Sequence, residues 1–199
     1  MPKGIMAGTS VLNPEIQIRM RVQRENTAGL VIDIQERLFP HIHEHEAVAR
    51  NTGILVEGLK ILGVPVLVTQ QYTRGLGPTI PGLLDLISDF PVIEKTAFSC
   101  CDEPAFIRAL TETHKQVILM AGIESHVCVL QTVIDLVERG YQPVLVEDCV
   151  SSRKANDKNT AVRRMRMEGA IVTTCESILF ELCRFSGTEE FKSISKLVK

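Results

Sequence analysis

Apolar residues fall along this chain in two alternating kinds of run. Short Val/Ile/Leu-rich stretches occupy Thr27–Ile34, Val64–Thr69, Pro91–Glu94, Gln116–Ala121, Gln142–Glu147 and Ala170–Thr174. Between them lie longer stretches whose apolar positions return every three or four residues. Glu44–Leu62 is one, with Val48, Leu55, Val56, Leu59 and Leu62 on a single face and Gly63 just past its last turn. Asp102–Thr113, Ser125–Arg139, Lys154–Glu168 and Cys175–Phe185 are others, and Thr188–Lys199 holds a short terminal one. The first kind predicts buried strands, the second amphipathic helices. Asp102 is the expected N-cap of its helix, with Pro104 in the first turn, and Ser125 the N-cap of its own. Gln70–Pro81 carries Gly75, Gly77, Pro78 and Pro81 and reads as a loop.

Strand and helix thus alternate from residue 27 to the last turns. Continuous apolar strands joined by helical crossovers mean an α/β chain whose parallel sheet is covered on both faces. Ahead of it, Ile16, Ile18, Met20 and Val22 alternate with Gln17, Arg19, Arg21 and Gln23, the period of a strand. Residues 1–24 are therefore set apart as an N-terminal extension, and residues 25–199 as one domain. Such sheets bind ligands outside the carboxyl ends of their strands. Those ends carry Asp33 and Gln35, then Gln70, Gln71 and Tyr72, then Lys95, then Glu124 with Cys128, then Asp148.

Composition narrows the function. A net charge of −2 gives no reason to expect a nucleic-acid or anionic-membrane binder, and no apolar run is long enough to span a bilayer. The first predicted strand runs into Ile32-Asp-Ile-Gln-Glu-Arg37, which has no glycine, so a dinucleotide fingerprint is missing. Six cysteines without a secretory signal point to free thiols and a cytoplasmic protein, with organelle targeting by the basic N-terminal stretch as the alternative. His41-Ile-His-Glu-His45 looks like a metal cluster but falls where a loop opens a helix, facing solvent.

One cysteine stands apart from the rest. Cys128 follows the Gln116–Ala121 strand and Gly122, within the first turn of a predicted helix. Unpaired N–H groups and the positive end of the helix dipole favour a thiolate there. A thiol nucleophile needs a base or a cation beside it. Asp33 can take and return the proton, and Lys95 can hold Asp33 and offset charge. Each also has an ordinary reading: Cys128 as core packing, Asp33 as a loop cap, Lys95 as a surface lysine.

In this order and spacing, Val31-Ile-Asp-Ile-Gln35, Glu94-Lys-Thr-Ala-Phe-Ser99 and Gly122-Ile-Glu-Ser-His-Val-Cys-Val129 resemble the isochorismatase-like cysteine hydrolases, which include nicotinamidases and N-carbamoylsarcosine amidases. Val146-Glu-Asp-Cys-Val-Ser-Ser152 and the Ala161–Gly169 helix extend the likeness, which covers residues 27 to 185. The resemblance implies a three-layer α/β/α sandwich with a six-stranded parallel sheet. It implies Asp33, Lys95 and Cys128 as a catalytic triad and a cis peptide at Ile123–Glu124. The N–H groups of Glu124 and Cys128 would form the oxyanion hole. The reaction implied is hydrolysis of a small amide or related C–N substrate through a thioester on Cys128, in a dimer or larger homo-oligomer.

The departures matter as much. Nicotinamidases bind a metal through an Asp-x-His pattern beyond the second strand; here that place reads Thr69-Gln-Gln-Tyr-Thr-Arg-Gly-Leu-Gly77. No catalytic metal and no cofactor are expected, and neither nicotinamide nor isochorismate is the expected substrate. Gln35, Phe39, Tyr72 and Phe98 are candidate substrate contacts. A catalytically silent scaffold of the same fold and a nucleic-acid-processing enzyme are the competing readings, the second supported only by the basic clusters Arg19–Arg24 and Arg163–Arg166.

Overall fold

A computed structural model describes residues 21–199. The strands are β1 (Thr27–Ile32), β2 (Val66–Gln71), β3 (Val92–Lys95), β4 (Val117–Ile123), β5 (Gln142–Ser151) and β6 (Ile171–Thr173). They pair in the order β3-β2-β1-β4-β5-β6, and every pair is parallel. The main helices are α1 (His45–Ile61), α4 (Pro104–Glu112), α5 (Leu130–Glu138), α6 (Ala155–Met167), α7 (Cys175–Cys183) and α8 (Glu189–Leu197). A single turn, α2 (Thr73–Leu76), interrupts the segment expected to be loop, and another, α3 (Pro81–Leu84), starts at its end. The alternating stretch read as an N-terminal strand lies outside the described residues up to Met20; Arg21–Gln23 form neither strand nor helix.

Strand side chains alternate between two cores. Val31, Val68, Leu119 and Val146 pack with Leu55, Leu59, Ile178, Leu179 and Ile194 from α1, α7 and α8. Leu30, Ile32, Leu67 and Met120 pack with Phe106, Leu110, Val133, Leu136 and Met165 from α4, α5 and α6. The sheet is thus the middle of three layers, because strands apolar on both faces leave no face for water.

Strand order reverses between β1 and β4, so the crossovers on either side leave in opposite directions and open a crevice at their carboxyl ends. Three local features shape that crevice. Asp33, directly after β1, has φ 53°; aspartate tolerates this left-handed conformation better than most residues. Gly122, at φ 138°, lies so close to β1 that a Cβ there would come 2.2 Å from the Ile32 carbonyl oxygen. β5 slips against β4: Met120 faces Leu145, yet Gly122 faces Val150. That slip carries β5 past its expected end at Glu147 and brings Ser152 and Arg153 beside the turn after β4.

Several boundaries differ from expectation. Glu103, not Asp102, caps α4, its carboxylate accepting from the Ala105 N–H. Ser125 caps nothing: Ser125–Val129 is a single π-turn entered from Glu124, and α5 begins only at Leu130. The Ser125 hydroxyl is buried with no hydrogen-bond partner in the structure.

Candidate active site

The side chains that converge at the crevice come from four adjacent strand ends. Lys95 closes β3 in register with Gln71 of β2, and its side chain reaches across to β1. Its Nζ donates to Asp33 Oδ2 at 2.6 Å. Thr69 Oγ1 donates to Asp33 Oδ1 at 2.8 Å. Both charged side chains are sealed, Lys95 at 0% and Asp33 at 1% exposure. Burial works against the Lys95 charge, but Asp33 first and then the Cys100 and Cys128 sulfurs more than reverse it, so its pKa lies above the ordinary lysine value. An ion pair this deep survives only because its remaining hydrogen-bonding positions are filled.

Cys128 approaches from β4. Its thiol is pushed well up, by burial most of all and then by the charge of Asp33; Lys95 pulls it back only in part, and a hydrogen bond to Asp33 pushes it further up. Burial and the Asp33 charge thus work against the thiolate expected at a helix N-terminus. The reason is local. The sulfur is buried, and the carboxylate opposes the ammonium.

A second thiol lies behind the first. Cys100 Sγ is 3.8 Å from Thr69 Oγ1, and its N–H donates to Thr132 Oγ1, which in turn donates to the Cys128 carbonyl. Burial chiefly, and Asp33 next, push its thiol up to about 11. Cys100 has no exposure, whereas Cys128 retains 7%, so only Cys128 offers a surface to a substrate. Thr69, Thr132 and Cys100 were not singled out from sequence, since nothing distinguishes them from core residues until the strands are laid side by side.

Glu124 precedes the π-turn and Cys128 lies within it, and the Ile123–Glu124 peptide is cis. The buried Glu124 carboxylate accepts from the Arg153 N–H at 2.9 Å and from Arg153 Nε at 3.1 Å. His126 Nδ1 lies 2.9 Å from Ser152 Oγ. These contacts tie the turn after β4 to the end of β5.

The candidate substrate contacts divide. Tyr72 and Phe98, on the loops after β2 and β3, are exposed beside Lys95, and the Tyr72 N–H donates to the Lys95 carbonyl. Phe39 meets His45 edge-on at 4.9 Å and packs against the α1 side of the core. Gln35 is corrected from ligand contact to scaffold: it is fully buried, and its amide donates to the Gln71 and Gly77 carbonyls while accepting from the Gln71 N–H. His43 is exposed, and His45 opens α1. Among the described residues no group of three or more His, Cys, Asp or Glu side chains is placed to hold a metal ion. A cavity of about 800 Å³ opens at the opposite, amino-terminal end of β4–β6, lined by Arg21, Gln116, Gln142, Arg166 and Glu181; none of the groups at the crevice lines it.

Residues 27–177 match the family model described as the isochorismatase domain. The chain belongs to the isochorismatase family. It is 37% identical over 184 residues to isochorismatase family protein 1B of Dictyostelium discoideum, covering 90% of this chain and 89% of that one. Among solved structures it resembles the MAR1 ribonuclease of Caenorhabditis elegans, with a TM-score of 0.85 and 37% identity over 90% of this chain and 92% of that one. It shares its fold, at a TM-score of 0.84 and 23% identity over 89% of this chain and 90% of that one, with the Escherichia coli YcaC protein, described as an octameric hydrolase of unknown specificity. Membership makes this an isochorismatase-like hydrolase-family chain, and among the described residues no helix is long and apolar enough to cross a membrane.

Proposed function

We propose that this chain is a cysteine-dependent hydrolase of a small amide or related C–N substrate, working through a thioester on Cys128. The observation that carries this reading is the sealed Asp33–Lys95 ion pair beside the partly accessible Cys128 thiol, at the point where strand order reverses. Asp33 accepts the thiol proton as the sulfur attacks the carbonyl carbon. The N–H groups of Glu124 and Cys128 are the donors assigned to the developing oxyanion, each worth on the order of a hundredfold in rate. Protonated Asp33 then gives its proton to the departing nitrogen, and the C–N bond breaks. Water, losing a proton to Asp33, attacks the thioester, and the acid leaves as Cys128 regains its proton. Lys95 holds the Asp33 carboxyl group in place and favours its charged form before each proton transfer. Tyr72 and Phe98 form an aromatic rim for the substrate, and their exposure, with that of Val92 and Leu84, supports assembly of the chain as a homo-oligomer.

The test is a panel of small amides with mass spectrometry of the Cys128 peptide. Turnover with an acyl mass on Cys128 is expected, and Cys128→Ala removes both. Activity retained in Cys128→Ala refutes the reading. RNA belongs in the same panel because the nematode relative is named a ribonuclease; cleavage of RNA that is indifferent to Cys128→Ala would put phosphodiester chemistry in place of acyl transfer.

A further inference from the structure

The ammonium of Lys95 has a second close partner besides Asp33. Nζ donates to Gln71 Oε1 at 2.7 Å, and the Ala97 and Phe98 carbonyls stand at 3.2 Å each. An ammonium has three protons, so with these acceptors and Asp33 none is left to turn toward a substrate.

Gln71 is itself held in place. Its Nε2 donates to the Thr96 carbonyl at 2.7 Å. Its backbone N–H donates to Gln35 Oε1 at 2.7 Å, and its carbonyl accepts from Gln35 Nε2 at 3.0 Å. The β1–β2 ladder ends at the Ile32–Thr69 pair, because Asp33 turns the chain away. Beyond that point the Gln35 carboxamide does what the β1 backbone would have done, giving Gln71 both a donor and an acceptor. The same Gln35 Nε2 reaches the Gly77 carbonyl at 2.6 Å, so the loop after α2 is tied in as well. A chain of amides therefore runs from the buried Gln35 through Gln71 to Lys95, and ends on the carboxylate.

We infer that Gln71 is a positioning residue for the acid–ammonium pair: a neutral acceptor, fixed by Gln35, that sets where the Lys95 charge sits and so which oxygen of Asp33 is left for the thiol. For catalysis this rests on the hydrolase reading above; for the state of Cys128 it stands alone. Neutrality is the point. A carboxylate at position 71 would share the ammonium and so weaken its pull on the sulfur. An apolar side chain would leave the ammonium free to drift toward the two carbonyls. The half-buried Gln71 side chain has its oxygen on Lys95 and one of its two amide protons on the Thr96 carbonyl.

Two variants and two readouts test this. The first readout is the pH dependence of iodoacetamide alkylation at the Cys128 peptide, which needs no substrate. Gln71→Glu shifts that profile to higher pH and slows alkylation at a fixed pH near 8 by about tenfold, the size expected of one extra charge within several ångströms at protein-like dielectric. The second readout is steady-state kinetics on whichever amide the panel yields. Gln71→Met lowers kcat by about tenfold to a hundredfold, the cost of a misplaced catalytic group, with KM nearly unchanged. An alkylation profile of Gln71→Glu that superimposes on the wild type overturns the inference, as does a Gln71→Met effect confined to KM. If the wild-type protein turns over no amide, the hydrolase reading fails while the alkylation arm still decides the role of Gln71.

Discussion

Removing Lys95 exposes what the ion pair contributes, and the expected size follows from the geometry. Lys95→Met keeps most of the side-chain volume but leaves Asp33, 1% exposed, without a cationic partner, its Oδ1 still accepting from Thr69 Oγ1. At the observed 2.6 Å separation the direct attraction is about 6 kcal/mol for an effective dielectric near 20. Desolvation of both groups offsets much of that when the pair forms. When only one partner is removed, the other stays buried and uncompensated, and such losses run to about 3–5 kcal/mol. The Thr69 bond keeps the expectation near the lower figure. For a chain of this length that is a fall in Tm of about 6–12 °C. Asp33→Asn alone costs a comparable amount by stranding the ammonium. The double variant Asp33→Asn/Lys95→Met has no buried charge and returns to within about 1–2 kcal/mol of the wild type. Urea unfolding followed by far-UV circular dichroism on all four proteins closes the cycle. If Lys95→Met costs less than about 1 kcal/mol, or if the two single losses simply add in the double variant, the pair is not the closed, mutually dependent unit described here.

Two further outcomes follow from the same crevice. Gly122→Ala forces a Cβ to within 2.2 Å of the Ile32 carbonyl oxygen and 2.7 Å of Ile32 Cβ, at φ 138°, so β1 and β4 must part; a loss of more than about 3 kcal/mol in urea unfolding is expected, and a near-neutral variant would contradict the packing at the switch point. Stability also falls on the alkaline side. Cys100, Cys101, Cys128 and Cys149 are all raised above the ordinary thiol value of 9.0, burial being the largest cause in each, so the folded chain keeps protons that the unfolded chain releases. The contribution is complete below pH 9 and is withdrawn as pH rises above it; by pH 10 the four thiols together remove on the order of 4–6 kcal/mol. Urea midpoints at pH 7 and pH 10 under reductant read this directly, and equal midpoints would refute it.

The architecture was legible because its signal is periodic. Six apolar runs and the helical stretches between them are visible one residue at a time, and all six became strands of one parallel sheet. What periodicity could not give was detail set by neighbours. β5 runs on to Ser151 because its slipped register against β4 supplies partners for Val150 and Ser151. The Gln70–Pro81 segment holds the helical turn α2 and ends where α3 begins, and α3 forms as Leu83 finds a buried place once the sheet exists. Asp102 lost the cap to Glu103, whose carboxylate reaches the Ala105 N–H across Pro104.

The site was legible only in part, and the unread part changes the chemistry. Asp33, Lys95 and Cys128 could be picked out as polar residues at strand ends, and the structure places Lys95 on Asp33 with Cys128 near both. A local view of Cys128 suggested a thiolate stabilised by a helix and an ammonium. The assembled crevice does the opposite: it buries the sulfur, opens the helix with a π-turn, and commits the ammonium to Asp33, Gln71 and two carbonyls. In that setting Lys95 is hydrogen-bonded to the carboxylate, and in the proposed mechanism the nucleophile arises as Asp33 takes the thiol proton. The residues that enforce this, Thr69, Gln71 and Gln35, carry uncharged side chains of common type. Their roles depend on which strand lies beside which, and the β3-β2-β1 side of the sheet order decides that: it puts the ends of three strands distant in sequence within hydrogen-bonding reach of one carboxylate.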